Sequence, residues 1–387
     1  MRYRSNFCDM MSLLQNNKQK RASMKDMLSQ TWGFLQAKLF PIVEKELGPI
    51  SAKHEQLISA IGFAECRKFI RTFEGCVGRP QKDRESIAHA FIAKAIFNIS
   101  QTKTLIEWLK ADASLRRICG WETKSSIPSE ATFSRAFAEF AKTNIATKIH
   151  EVFVKKYHSN QVTWSVSRDS TEIIAREKAV IKPKTEKVSK KKGRPTKGTI
   201  KALPETSRLE KQLNMNVAEM LADLPKECDI GCKKDSKGYK HSWCGYKLHI
   251  DTIDGDIPVS AVLTSASVHD SQVALPLSKM TGDRIPHWTY ESMDAAYDAQ
   301  IIRDAVATSG HVALIDFNRR SEKDTRSFTK LEAERYKARS SAERVNSYLK
   351  DNFSGMMIRV KGHAKIFTHL MFSLLAITIN RSLKLLT

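Results

Sequence analysis

Apolar positions recur every three or four residues through the early part of the chain, and then the period changes to two. Leu35, Leu39, Phe40, Val43 and Leu47 form a helical stripe, with Pro41 near a boundary. Residues 1–75 are therefore expected to be a helical N-terminal region. Beyond a basic turn at residues 78–84, Ile87, Ala90, Phe91, Ala95 and Ile96 form a second stripe. Leu105, Trp108, Leu109, Leu115 and Ile118 form a third, which stops at Cys119-Gly120. Ser129 can cap a further helix that places Phe133, Phe137 and Phe140 on one face. Ser134 and Arg135 then lie on another face, free to meet phosphates or base edges. Residues 76–155 thus fit a helix-turn-helix reader of DNA, and they also fit an ordinary helical bundle.

Alternation begins near residue 161. Residues 161–168 are rich in β-formers and read as a strand ending at Asp169. Residues 245–251 and 257–264 read as two more strands, joined by a turn at Thr252-Ile-Asp-Gly-Asp256. Asp270 can cap a helix running to Met280. Residues 287–293 form a fourth strand that ends at Asp294, residues 298–308 a helix, and residues 311–317 a fifth strand. A helix holding Tyr336 to Lys350 and an amphipathic helix from Ala364 follow. A hairpin meander followed by alternating helix and strand is the RNase H-like order. The expected architecture is α+β, with residues 160–387 as the RNase H-like domain. A basic and helical insertion at about 176–240 follows its first strand, and residues 209–224 are expected to be one helix of it.

Charge narrows the partners. Among 387 residues there are 64 Lys and Arg against 42 Asp and Glu, a formal charge of +22. Such an excess favours a polyanion, either nucleic acid or an acidic membrane surface. The longest apolar run, residues 367–379, is broken by Thr368, His369, Ser373 and Thr378, so no membrane span is expected. The N-terminal stretch has no apolar signal core, and seven scattered cysteines suit a reducing compartment; a cytoplasmic protein is expected. Residues 178–201 hold ten Lys or Arg and one acid. Their centre, Gly193-Arg194-Pro195, resembles an element that slides Arg into a narrow minor groove, and it also reads as a solvated linker.

The candidate chemistry lies in the acids. Asp169 and Asp294 are expected at strand ends, and Glu343 on the helix after the fifth strand. If the first and fourth strands are neighbours, three carboxylates converge at one end of the sheet. Such a cluster resists joint ionisation unless cations are bound, and Mg²⁺, with Mn²⁺ as a substitute, supplies them. Tyr336, Arg339, Glu343 and Lys350 are spaced by 3, 4 and 7. On a continuous helix these spacings fall within roughly 60° of arc. Such a face can serve a metal and a nucleic-acid backbone, or it can be an ion-paired surface. Asp298 competes with Asp294 for the second acid, and strand-end position favours Asp294; Asp298 is expected to cap the next helix. Asp270 is a further rival, and His269-Asp270 could touch DNA or metal. Cys228, Cys232, Cys244 and His249 could be read as a zinc site or as buried thiols with a strand histidine.

The block Tyr336-x2-Arg339-x3-Glu343-x6-Lys350 resembles the third catalytic block of bacterial insertion-sequence DDE transposases of the Tyr-Arg-Glu-Lys signature type. Arg168-Asp169-Ser-Thr-Glu172 corresponds to their first block and Met293-Asp294-Ala-Ala-Tyr297-Asp298 to their second. Ile118-Cys-Gly-Trp121 and Pro128-Ser-Glu-Ala-Thr-Phe-Ser-Arg135 resemble words of their helical N-terminal domain. Gly245-Tyr-Lys-Leu-His249 and Ser267-Val-His269-Asp270-Ser271 are further similar words, so the resemblance covers most of residues 80–375. It implies that Asp169, Asp294 and Glu343 are catalytic and bind metal, and that Tyr336, Arg339 and Lys350 contact the backbone of a transposon end. The implied partners are double-stranded DNA, as terminal inverted repeats and as target, and a second copy of the chain in a homodimer. The implied setting is the bacterial cytoplasm, on the nucleoid. Rival readings are another RNase H-like nuclease that cuts without joining, and an inactive DNA-binding protein derived from a transposase.

Overall fold

The computed structural model describes residues 27–70, 81–181, 206–234, 238–319, 326–356 and 358–386. The basic tract with Arg194, the start of the chain and part of the turn at residues 78–84 lie outside the described residues.

A mixed sheet organises the C-terminal part. β1 (Ser165–Ile174) lies at its centre, antiparallel to β3 (Lys240–Ile253) and parallel to β5 (Tyr290–Met293). β4 (Ile257–Ser265) pairs antiparallel with β3, and β6 (Val312–Ile315) pairs parallel with β5. The crossover from β4 to β5 carries the helix Ala274–Gly282, and that from β5 to β6 the helix Gln300–Thr308. The elements thus follow the order expected from the alternating pattern.

Two features of the sheet differ from expectation. β1 does not stop at Asp169. It continues to Ile174, because Thr171 and Ile173 are buried and the ladder with β3 runs on to Ile174 opposite Gly245. An additional strand, β2 (Asp229–Lys234), pairs with the first half of β3. The later part of the insertion therefore joins the sheet. β2 carries no alternating apolar signal; its Ile230 is exposed. Gly231 is needed there because a Cβ would come within 2.3 Å of the Trp243 ring. Residues 209–224 form two short helices, Arg208–Gln212 and Val217–Asp223, where one was expected. Asn216 starts the second by accepting from the Glu219 amide at 3.0 Å, which ends the first helix's periodicity.

The helices before the sheet, among them Ala52–Ala64, Arg84–Ile96, Glu130–Thr143 and Ile145–His158, pack on the helix His363–Lys384. Asp83 caps the second of these by accepting from the amides of Glu85 (3.0 Å) and Ser86 (3.1 Å). Phe91 meets Phe133 and Phe140 edge-on, Phe137 at a tilt and Phe372 stacked, so the terminal helix reaches the centre of the N-terminal bundle. The same helix packs on β4, and one apolar cluster runs from Leu57 and Phe91 through Leu374 to Leu248 and Ile250 of the sheet. At 22 residues His363–Lys384 is longer than the apolar run suggested, and by length and composition it could cross a membrane. It is instead a core helix: 83% of its most apolar window is buried in protein. The polar residues that interrupt the run are satisfied inside. Ser373 donates to the Phe353 carbonyl (2.8 Å) and Thr378 to that of Pro258 (3.1 Å).

Successive residues of a strand face opposite sides, and β1 uses this at residues 168 and 169. Arg168 turns toward the helix Ala274–Gly282 and is fully buried. Its guanidinium forks onto Asp251 of β3 with two bonds of 2.7 Å and lies 3.3 Å from Glu291 of β5. Ser278 accepts a further bond (3.1 Å), and Thr281 donates to Asp251 (2.7 Å). Removing one partner of such a buried group strands the others without compensation. Arg168→Met should therefore lower the unfolding free energy by about 3–5 kcal/mol. Urea denaturation at neutral pH measures this, and an unchanged midpoint would contradict a sealed ion cluster.

Candidate active site

Asp169 faces the other side of β1. It pairs with Ile250 across the antiparallel ladder, but its parallel neighbour has already ended: the β1–β5 pairing stops at Ser167 opposite Ser292. Beyond that point β1 borders the crevice at the carboxyl end of β5, a position where sheets of this kind bind ligands. Asp294 is the first residue past β5. Its carboxylate accepts from the Ala296 amide (3.0 Å) and caps the short turn Ala295–Tyr297. Strand order thus brings Asp169 and Asp294 side by side, although Asp169 sits mid-strand rather than at a strand end.

Both carboxylates hold their protons more tightly than usual. Burial, and then the charge of Asp294, pushes the Asp169 carboxyl up to about 6. Burial, and then the charge of Asp270, raises Asp294 as well. Asn346 holds Asp169 in place by donating to its Oδ2 at 2.9 Å. Asp270, expected to cap a helix, instead pairs with Lys247 at 2.9 Å and lies 3.7 Å from His249; His269 takes the cap position by accepting from Ser271. Asp298 accepts from the Asn318 amide at 3.0 Å. It is held by Arg303 (2.8 Å) and Arg326 (3.3 Å), and it does not cap the helix after it.

The stretch from Tyr336 to Lys350 is not one helix. A helix Lys330–Tyr336 passes through a tight turn, Lys337–Arg339, into the helix Ser340–Asn352. The cause lies in β1: the Ser167 hydroxyl donates to the Arg339 carbonyl (2.6 Å) and accepts from the Ala342 amide (3.4 Å). In a turn with three residues per cycle Tyr336 and Arg339 eclipse, so the four residues keep one face, with the Arg339 guanidinium 5.9 Å from the centre of the Tyr336 ring. That face meets the same end of the sheet. Tyr336 donates to the Met293 carbonyl (3.1 Å), and burial pushes its phenol up to about 12. Arg339 hydrogen-bonds Glu343 and brings its other nitrogen to 4.0 Å from Asp169. Lys350 lies 3.7 Å from Glu172 of β1. Glu343 itself is half exposed, at 49%. Among the described residues no three Asp, Glu, His or Cys side chains are gathered closely enough to hold one metal ion. The strand order therefore brings Asp169 and Asp294 to one crevice, while Glu343 is hydrogen-bonded by Arg339.

Other candidates are placed elsewhere. Arg135 is exposed on the helix Glu130–Thr143, opposite the buried Phe133, Phe137 and Phe140. Ser129 stands at the cap position of that helix but spends its hydroxyl on Thr132 rather than on a backbone amide. Cys228 and Cys244 are neighbours at 3.7 Å, Cys232 is exposed, and His249 is buried against Thr264 (3.0 Å). Asn346 and Ser167 were not singled out from sequence. Asn346 is one helical turn after Glu343 and Ser167 two residues before Asp169, so face counting from those acids could have found both.

Residues 207–379 match the family model described as the transposase DDE domain, and residues 49–139 match a second model, transposase domain (DUF772). Both matches are to transposase domains. They support an insertion-sequence transposase, with Asp294, Tyr336, Arg339, Glu343 and Lys350 inside the first match and Arg135 inside the second. Asp169 precedes the first match, so its place in the site rests on the sheet geometry. No curated protein and no solved structure matches the chain.

The raised Asp169 carboxyl has a measurable sign. In the unfolded chain the group ionises near 3.8, whereas in the folded protein it stays protonated up to about 6. Stability is therefore lost as pH rises through that window and stays lost above it. Asp169→Asn should raise metal-free stability at neutral pH by about 2–3 kcal/mol, and the gain should vanish below about pH 4. Melting temperatures of both proteins across pH check this; a gain that did not change with pH would point to packing instead of charge.

Proposed function

We propose that the chain is the DNA transposase of an insertion sequence, cutting at transposon ends and joining the freed 3′-hydroxyl to target DNA. The observation that carries this reading is the pair Asp169 and Asp294, side by side in the crevice beyond β5, next to the helix that bears Glu343. These carboxylates supply hard oxygen donors, and burial first and neighbouring acids second raise their proton affinity. That donor set suits Mg²⁺ or Mn²⁺. When bound, the metal would supply activation of the attacking hydroxyl and stabilisation of the leaving oxygen.

In this reading the sheet is RNase H-like and spans residues 160–387, with its insertion at about 176–240. Asp169, held by Asn346, and Asp294, held by the Ala296 amide, present fixed oxygens, and Glu343 completes the set. Tyr336, Arg339 and Lys350 line the same crevice end and grip the phosphates of the transposon end. Arg339 and Lys350 offset the charge that builds as the phosphodiester is attacked. Residues 76–155 read the DNA, with Arg135 on the exposed face of its helix, and the tract around Arg194 adds minor-groove contacts. The active complex pairs two ends and is a homodimer, working on the bacterial nucleoid.

A plasmid bearing the element's ends tests this. With Mg²⁺ the protein should nick at the ends and join them to target DNA; chelation should abolish both steps. Asp169→Ala, Asp294→Ala and Glu343→Ala should each reduce cutting to background while retaining end binding. Cutting without joining would favour a simple nuclease, and binding without cutting an inactive derivative. Lys350→Ala should weaken binding to all sequences alike and lower the slope of log affinity against log salt by about one.

A further inference from the structure

Arg339 lies among the acids, where a metal is proposed to bind. One of its nitrogens hydrogen-bonds Glu343 and another stands 4.0 Å from Asp169. Its backbone is held by Ser167, while its side chain, over the Tyr336 ring at 5.9 Å, is 23% exposed. Asp169 is steadied from the other side by Asn346 on Oδ2, which leaves Oδ1 facing the guanidinium. A carboxylate engaged by a guanidinium cannot offer the same lone pairs to a metal. A guanidinium, however, forks as well onto a phosphate as onto a carboxylate.

We infer that Arg339 is an exchangeable internal cation that keeps Glu343 out of the metal site until a DNA phosphate draws the guanidinium away. This rests on the proposed metal-binding role of Asp169, Asp294 and Glu343 and adds its regulation. Without DNA, Arg339 partly neutralises the three acids, and Glu343 is tied one turn back along the chain. With DNA, the phosphate takes the guanidinium, and Glu343, already half exposed, swings free toward the aspartates. DNA and divalent cation then bind with positive coupling, and by linkage each tightens the other. The cutting centre is assembled only where there is DNA to cut.

The sign of one measurement separates this from a simpler role. If Arg339 merely oriented Glu343 for the metal, its loss would weaken metal binding. If it competes with the metal, its loss strengthens binding. Mn²⁺ affinity of the full chain, read by electron paramagnetic resonance with and without a short duplex, decides between them. For the unaltered protein the duplex should tighten Mn²⁺ binding by about tenfold, within the usual range for coupled sites. Arg339→Ala should bind Mn²⁺ about tenfold more tightly than the unaltered protein without DNA, and the duplex should then add little. Equal or weaker binding by Arg339→Ala without DNA, or full coupling retained in that variant, would overturn the inference. Cations condensed on the duplex affect both proteins alike and cancel in the comparison. Arg339→Gln, of similar length and uncharged, gives the same readout should the alanine variant fail to fold. Asp169→Asn separates the two layers of the proposal. Mn²⁺ binding indifferent to Asp169 defeats the metal-site reading, whereas binding that needs Asp169 but ignores Arg339 defeats only the exchange.

Discussion

The Arg168 guanidinium, sealed between β1, β3 and β5, fastens three strands at a point one residue before Asp169. Its fork onto Asp251 fixes the β1–β3 register, and its approach to Glu291 sets β5 alongside. With those strands in place, alternation sends residue 169 to the opposite face. The end of β5 then places Asp294 beside it. An enzyme needs its reacting groups held to within a fraction of an ångström, and a buried, fully engaged cation next to the first acid provides a rigid footing. The arrangement also explains why two acids with raised proton affinity can be tolerated here. Their electrostatic cost is borne by a framework whose own charges are matched on the other side of the sheet.

Much of this was legible in the chain. The change of period near residue 161 announces the sheet, and the Phe133, Phe137 and Phe140 stripe announces a buried helix face. The strand before Asp294 ends where alternation ends. What was not legible has physical causes. An acid after a run of β-formers looks like a strand terminus, yet Thr171 and Ile173 beyond Asp169 carry the ladder onward. β2 has one exposed isoleucine and a glycine where a pattern would be, because its role is backbone pairing rather than core filling. The break in the helix at residues 337–339 depends on a serine hydroxyl 172 residues away in the chain, which no local window contains. Asn346, on the helix beside Glu343, looks like any polar helix residue until β1 is placed against it.

The crevice balances its charges by proximity rather than by distance. Asp270 is quieted by Lys247, Asp298 by two arginines, and Glu172 has Lys350 nearby. Asp169 and Asp294 are left with incomplete compensation, and they are the acids whose carboxyls hold their protons most tightly in that neighbourhood. Burial is the first reason for this, and neighbouring acids are the second. The same residues that repel one another in the free protein are those for which a divalent ion or a phosphate-bound arginine would change most.

The helix His363–Lys384 carries a consequence for how the protein is made. The helices up to His158 close their core on Phe372 and its neighbours, and those neighbours lie about two hundred residues further along the chain. Such long-range closure makes for slow folding. During synthesis the early helices leave the ribosome with their phenylalanines uncovered and stay so until the sheet and the late helix arrive. A half-made chain is thus an apolar surface linked to a strongly basic one, a natural client for chaperones and a hazard for aggregation.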